Sequence, residues 1–182
     1  RGLGNVTLVA GDITHSIAME QLPDDHFDLA LSQRGPNLNE PLARKLRNDA
    51  FFLQELVSEF DGFPVKEIFG RYPYVPGAFA GHQGLLSAYA ELGFFPVSVK
   101  EYFYEEFFRD SEHLAVFLRQ GAMLSNWRLP PKPYDAGRDH GALELYVRYN
   151  TTPKGIRLLR QRKVFALRRA RVHYYPADWG PE

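Results

Sequence analysis

Residues 27–31, Phe-Asp-Leu-Ala-Leu, form a mostly apolar run that gives way at once to Ser32-Gln33-Arg34-Gly35-Pro36-Asn37. Phe27–Ser32 reads as a strand that is apolar on both faces, and such strands belong to sheets covered on both sides. In open parallel sheets, ligands bind just beyond the carboxyl ends of the strands. A buried strand ending in hydrogen-bonding side chains, with Gly35 and Pro36 fixing the backbone, therefore constrains both the fold and the place to look for a site.

The rest of the chain repeats the alternation. Asn5–Ala10 is a β-branched run stopped by Gly11-Asp12 and reads as a strand. Ile13–Gln21 is a helical or irregular connection, and Leu22–His26 is a turn. Asn39–Arg47 predicts a short helix after the Gly-Pro turn, and Ala50–Val57 is a third strand candidate whose length also permits a helix. In Gly81–Leu92 the residues Leu85, Leu86, Tyr89 and Leu92 share one helical face, with Gly93 as C-cap. Phe94–Phe103 predicts a strand. Ser111 stands as N-cap of a helix over Glu112–Gln120, Asp139–Tyr149 predicts another helix, and Lys163–Arg168 a last strand. Strands alternating with helices argue an α/β fold with a largely parallel sheet, in a single domain over residues 1–182.

Composition excludes several classes. Lysine plus arginine number 22 and aspartate plus glutamate 22, so nothing in the net charge favours a generic polyanion binder. Cysteine is absent, which excludes disulfides, thiolate metal sites and a cysteine nucleophile and fits a cytoplasmic location. No apolar run approaches the ~18 residues of a membrane span. The chain begins at Arg1 rather than methionine and reads as a piece of a longer protein.

Five segments in order resemble the second half of a class I S-adenosylmethionine-dependent methyltransferase. They are Asn5–Ile13 (NVTLVAGDI), Leu22–Ser32 (LPDDHFDLALS), Leu46–Val57 (LRNDAFFLQELV), Leu85–Tyr102 and Thr151–Arg169. The resemblance implies a three-layer Rossmann-like methyltransferase sheet, mostly parallel with an antiparallel last strand, lacking its first two strands. Asn48-Asp49 stands where the family usually has Pro-Gly. The family's glycine-rich cofactor loop and the acidic residue that grips the ribose are missing from this chain. Helix N-termini and glycine-turn N–H groups normally hold a charged cofactor tail, so the resemblance implies S-adenosylmethionine as the cofactor of the family, bound weakly or not at all by this chain alone.

The resemblance also implies site residues. Asp12 and the backbone of Ile13 would meet the adenine, with Ser32 and Gln33 completing the cofactor side. Arg34 would contact the acceptor or the donor's carboxylate. Tyr72, Tyr74 and His82, in or beside the aromatic loop GRYPYVPGAFAGH, would line a substrate lid. Each also has a plainer reading: Asp12 as a solvated turn, the loop after Phe27–Ser32 as a helix cap, and the aromatic loop as packing on the sheet edge. Glu55, inside Ala50–Val57, could point toward an acceptor and reads equally as a paired edge charge.

The six histidines show no ligand spacing, so no metal site is expected. No nucleophile elbow and no phosphate-binding loop occurs. Lys154–Arg171 is basic without an acidic residue. It reads as a charged sheet edge in preference to an RNA-binding face. The expected partner is a small-molecule substrate, with no membrane, and a homo-oligomer could form through an open sheet edge. The rival reading is a non-catalytic remnant of the fold that serves as a binding or dimerisation module.

Overall fold

Asn39 starts the first described helix, α1 (Glu40–Lys45), because its side-chain oxygen accepts from the Leu42 N–H at 2.9 Å. Pro41 in the first turn and Arg44 and Lys45 in the last suit the helix ends. The chain then passes directly into a strand. The computed structural model describes residues 6, 8–11, 19–58, 60–71, 81–124 and 132–170, with the side chains of 81–83 and 122 left aside.

The strands are β1 (Phe27–Gln33), β2 (Leu46–Val57), β3 (Phe94–Phe108), β4 (Thr151–Thr152) and β5 (Gly155–Arg169). They form one five-stranded sheet in the order β1-β2-β5-β3, with β4 paired to β5. β1 and β2 are parallel, with Ser32 beside Gln54 and Gln33 beside Glu55. β5 runs against both of its long neighbours. On the β2 side Arg168 meets Asp49 while Gln161 meets Ser58; on the β3 side Ala170 meets Gly93 while Gly155 meets Phe108. The expected mixed α/β sheet with an antiparallel last strand is present.

The helices that follow are α2 (Phe63–Ile68), α3 (Gly81–Glu91), α4 (Ser111–Gln120) and α5 (His140–Asn150), with a short 3-10 turn at Ala122–Leu124. By contacts the chain divides into two compact units. One is built from segments 1–56, 81–100 and 164–182, the other from 57–80 and 101–163. The core of the first gathers Leu42, Leu46, Phe52, Tyr89, Phe94, Phe165 and Leu167, with Leu85, Leu86 and Leu92 of the expected helix face packed against it. The core of the second gathers Val65, Leu114, Leu118, Leu124, Tyr146 and Leu158.

Several expectations need correction. Val6 and Leu8–Ala10 are irregular, and Leu8 is 92% exposed. No strand lies there among the described residues, and an extended run without a partner has nothing to stabilise it. Among the described residues Phe27–Ser32 consequently has β2 on one side and no strand on the other, at the edge rather than the interior, and Leu29 and Leu31 are exposed. An apolar run reports the character of both faces but not the number of neighbours.

Asp110, not Ser111, caps α4 by accepting from the His113 N–H at 2.8 Å. Lys163–Arg168 is only the end of a 15-residue strand. Its first half was hidden by the arginines, whose charges are met within the fold. The unusual Asn48-Asp49 is accommodated by a bulge. The register jumps between Phe27↔Leu46 and Leu29↔Phe51. Asp49 takes the left-handed conformation (φ 66°), which aspartate tolerates better than most residues.

Candidate functional site

The carboxyl ends of β1 and β2 lie side by side, and the loop Ser32–Asn39 leaves from that point. The ladder continues one step beyond β1, where the Arg34 N–H donates to the Glu55 carbonyl at 2.9 Å. Arg34 itself sits at φ 52°, a conformation that costs a non-glycine residue about 1–2 kcal/mol. A side chain on the next residue would crowd the loop, because a Cβ on Gly35 would lie 3.0 Å from Ser32 Oγ. Ser32 Oγ donates to the Pro36 carbonyl at 2.8 Å, which closes the loop on itself.

A buried polar network holds the loop from below. Gln54 is fully buried. Its amide donates to Asn37 Oδ1 at 2.9 Å and to the Pro36 carbonyl at 3.3 Å. Its oxygen accepts from the Tyr89 hydroxyl. Tyr89 is also fully buried, and burial pushes its hydroxyl up to about 12 against hydrogen bonds with the Leu38 backbone and Gln54. The hydroxyl is therefore protonated at neutral pH and acts as a fixed donor.

The loop's polar side chains thus divide into two sets. Ser32 and Asn37 are engaged in holding the backbone. Gln33 and Arg34 point their amide and guanidinium from an exposed stretch, and Arg34 lies 3.7 Å from Glu55. Such a set can bind and orient a polar ligand. Among the described residues of the loop there is no cysteine or histidine to act as nucleophile or general base.

Of the residues singled out in the sequence, the structure brings Ser32, Gln33 and Arg34 together on this loop. Asp12, Ile13, Tyr72 and Tyr74 lie outside the described residues. His82 belongs to α3, and its side chain is likewise outside them. Gln54 and Tyr89, which govern the loop, were missed. The one signal in the sequence was a lone glutamine inside the apolar run AFFLQELV.

The second unit holds a buried charge cluster that the sequence did not announce. Asp61 accepts from Arg160 Nε at 2.8 Å, from Arg162 Nη1 at 2.6 Å and from the Gln161 N–H at 2.9 Å. Burial pushes its carboxyl up, but these hydrogen bonds and the two guanidinium charges prevail and hold it below the usual value. Arg157 and Lys163 of β5 pair with Glu105 and Glu101 of β3, and Arg160 also reaches Glu106. In the first unit Arg168 and Arg169 pair with Asp49 and Asp25. Six cations of the basic stretch, Arg157, Arg160, Arg162, Lys163, Arg168 and Arg169, are therefore matched with carboxylates. An open groove of about 520 Å³ in the second unit is lined by Phe107, Arg109, His113, Thr152 and Lys154, among others. None of the residues proposed from sequence lines it. Among the described residues no group of three or more metal-ligating side chains occurs, and no helix is long and apolar enough to cross a membrane.

No protein-family model matches the chain, and no curated protein matches it. Solved structures do. A protein of unknown function from Deinococcus radiodurans is similar at 15% identity and TM-score 0.44, over 79% of this chain and 51% of that one. A candidate methyltransferase from Bacillus halodurans is similar at 12% identity and TM-score 0.44, over 84% and 69%. A SAM-dependent methyltransferase from Archaeoglobus fulgidus is similar at 16% identity and TM-score 0.32, over 84% and 64%. The chain spans about half the length of the first of these structures. At such identities no residue role transfers. Methyltransferases are thus among the solved structures to which the chain is similar, and its sheet, with an antiparallel β5 beside the parallel β1 and β2, is of the mixed α/β kind.

Proposed function

We propose that this chain is a methyltransferase-fold domain that binds S-adenosylmethionine and serves methyl transfer to a small-molecule acceptor. The observation that carries the reading is the pinned polar loop Ser32–Asn37 at the carboxyl ends of two parallel strands, where such folds bind ligands. The fit rests on its donor set. An exposed amide and an exposed guanidinium suit the carboxylate and hydroxyl groups of an amino-acid-bearing nucleoside. When bound, S-adenosylmethionine supplies a methyl on a sulfonium, which departs as a neutral thioether as the acceptor's lone pair takes the methyl.

The residues of the chain position rather than react. Gln33 and Arg34 orient the ligand, Gly35 lets the backbone pass close to it, and Gln54 and Tyr89 keep the loop from yielding. Positioning alone supplies a large part of the rate in such a displacement. The resemblance adds Asp12 and Ile13 as adenine contacts and Tyr72, Tyr74 and His82 as residues of a substrate lid, and the side chains of all five lie outside the described residues.

The test is calorimetry of the chain with S-adenosylmethionine and with S-adenosylhomocysteine. Weak, saturable binding that is lost in Arg34→Ala, at an unchanged melting temperature, supports the reading. Absence of saturable binding, or binding indifferent to the loop, overturns it and leaves the fold in a purely structural or docking role.

A further inference from the structure

β3 is the end strand of the sheet, so one side of its backbone has no neighbouring strand among the described residues. It is 15 residues long. Val97, Val99, Tyr102, Phe103 and Tyr104 are all exposed, Phe103 to 57%. Natural sheets blunt such edges with uncompensated charge, proline or bulges. The carboxylates on this edge are already compensated, Glu101 by Lys163, Glu105 by Arg157 and Glu106 by Arg160, which leaves exposed Lys100 and, near the start of the strand, Pro96 as its own protection. From Glu101 to Phe108 the edge thus keeps its apolar character, with its carboxylates neutralised from β5.

We propose that the free edge of β3 pairs antiparallel with β3 of a second copy of this chain, centred on Phe103. A two-fold axis perpendicular to the sheet keeps each face on its own side, so residues of like parity come opposite one another. Centring on Phe103 sets Tyr102 opposite Tyr104 of the second copy, twice. It also sets Lys100 opposite Glu106, again twice. Aromatic pairs and opposite charges directly across a ladder each stabilise it. Centring on Tyr102 instead places Val99 opposite Glu105 and Glu101 opposite Phe103. Centring on Tyr104 places Phe103 opposite Glu105 and Tyr102 opposite Glu106. Centring on Glu101 sets that carboxylate against itself. The Phe103 register has one kind of opposing pair, Glu101 facing Glu105, also twice, and each of these carboxylates already has a β5 cation beside it.

The experiment is sedimentation of the full chain over a wide concentration range, with two kinds of variant. The wild-type chain is expected to dimerise reversibly, and Phe103→Lys to weaken the dimer at least about tenfold, or ~1.4 kcal/mol, with an unchanged circular dichroism spectrum. The chain has no cysteine, so single cysteines report the register. Directly opposite side chains have Cβ atoms about 4.5–5.5 Å apart, close to disulfide reach. Phe103→Cys should form a covalent dimer under mild oxidation, and Val97→Cys, which the register sets opposite Arg109, should not. If Phe103→Lys fails to fold, the cysteine pair decides. A monomer at every concentration, equal cross-linking at both cysteines, or a dimer broken by Leu31→Lys on β1 and untouched by Phe103→Lys would each overturn the proposal.

Discussion

Tyr89 of α3 donates its hydroxyl to Gln54 of β2, and neither residue has measurable exposure to solvent. A helix and a strand are thereby joined through the group that also holds the Pro36 and Asn37 end of the loop. Tyr89→Phe leaves one buried acceptor on Gln54 without its donor. This should cost about 1–3 kcal/mol, read as a lower melting temperature. Gln54→Leu should cost as much or more and should also raise hydrogen exchange at residues 34–38. A loop that stays protected in Gln54→Leu would show that the network does not hold it.

Alkaline stability follows from the same tyrosine. Tyr89 and Tyr146 are both pushed up to about 12 by burial. A phenol whose pKa is raised on folding contributes stability that is intact below the unfolded value of about 10 and is lost as pH climbs towards the folded one. Denaturant midpoints should therefore be flat around neutral pH on this account and fall between about pH 10 and 12. Each Tyr→Phe variant should make that fall shallower.

Asp61 is the buried hub of the second unit. Asp61→Asn leaves Arg160 and Arg162 facing a neutral amide in a site shielded from water. Removing one partner of such a cluster costs about 3–5 kcal/mol. Because the folded carboxyl lies below its ordinary value, its contribution is present above about pH 4 and lost on acidification. Acid unfolding should be less steep in Asp61→Asn than in the wild type, which chemical denaturation at several pH values would show.

Gly155 tests a backbone contact. Its φ is 117°, and a Cβ there would stand 2.5 Å from the Phe108 carbonyl oxygen. Gly155→Ala therefore combines an unfavourable dihedral with a collision against main chain, and a loss of about 1–3 kcal/mol is expected. A melting temperature within a degree of wild type would show that the β4–β5 hairpin yields easily.

Arg34 separates strain from binding. Arg34→Gly relieves the left-handed backbone and removes the guanidinium, so the melting temperature should hold or rise while S-adenosylmethionine binding falls. Arg34→Ala keeps the strain and removes the same group. Equal loss of binding in both, with melting temperatures ordered Gly above Ala, would assign the guanidinium to the ligand and the strain to the loop.

The local signals in the sequence carried well where one element decides its own form. Leu85, Leu86, Tyr89 and Leu92 mark the buried face of α3, and Gly93 ends it at φ 81°. The helix after Gly35-Pro36 begins at Asn39 because asparagine can cap its own chain. What escaped was whatever depends on distant residues. Asp61 meets Arg160 across 99 positions, and nothing near either residue distinguishes that pair from solvated surface charge. β1 looked interior because apolarity on both faces does not count neighbours. Gln54 was passed over in favour of Glu55, since a single polar residue in a strand does not reveal which way it points.

The place of β5 in the sheet has a consequence for how the protein is made. β5 lies between β2 and β3, yet it is the last described strand to be synthesised. Ser58 and Phe60 must wait for Gln161, and Asp61 for a residue 100 positions further on. Translation at roughly 5–20 residues per second leaves that interval open for seconds. During it the nascent chain presents two strand edges with their shared partner still inside the ribosome. Closing so long a loop is slow, so the sheet is completed late and in one step. A ribosome stalled before Gly155 would hold helices and a β1–β2 pair, a species that chaperones should recognise and the finished protein should never populate.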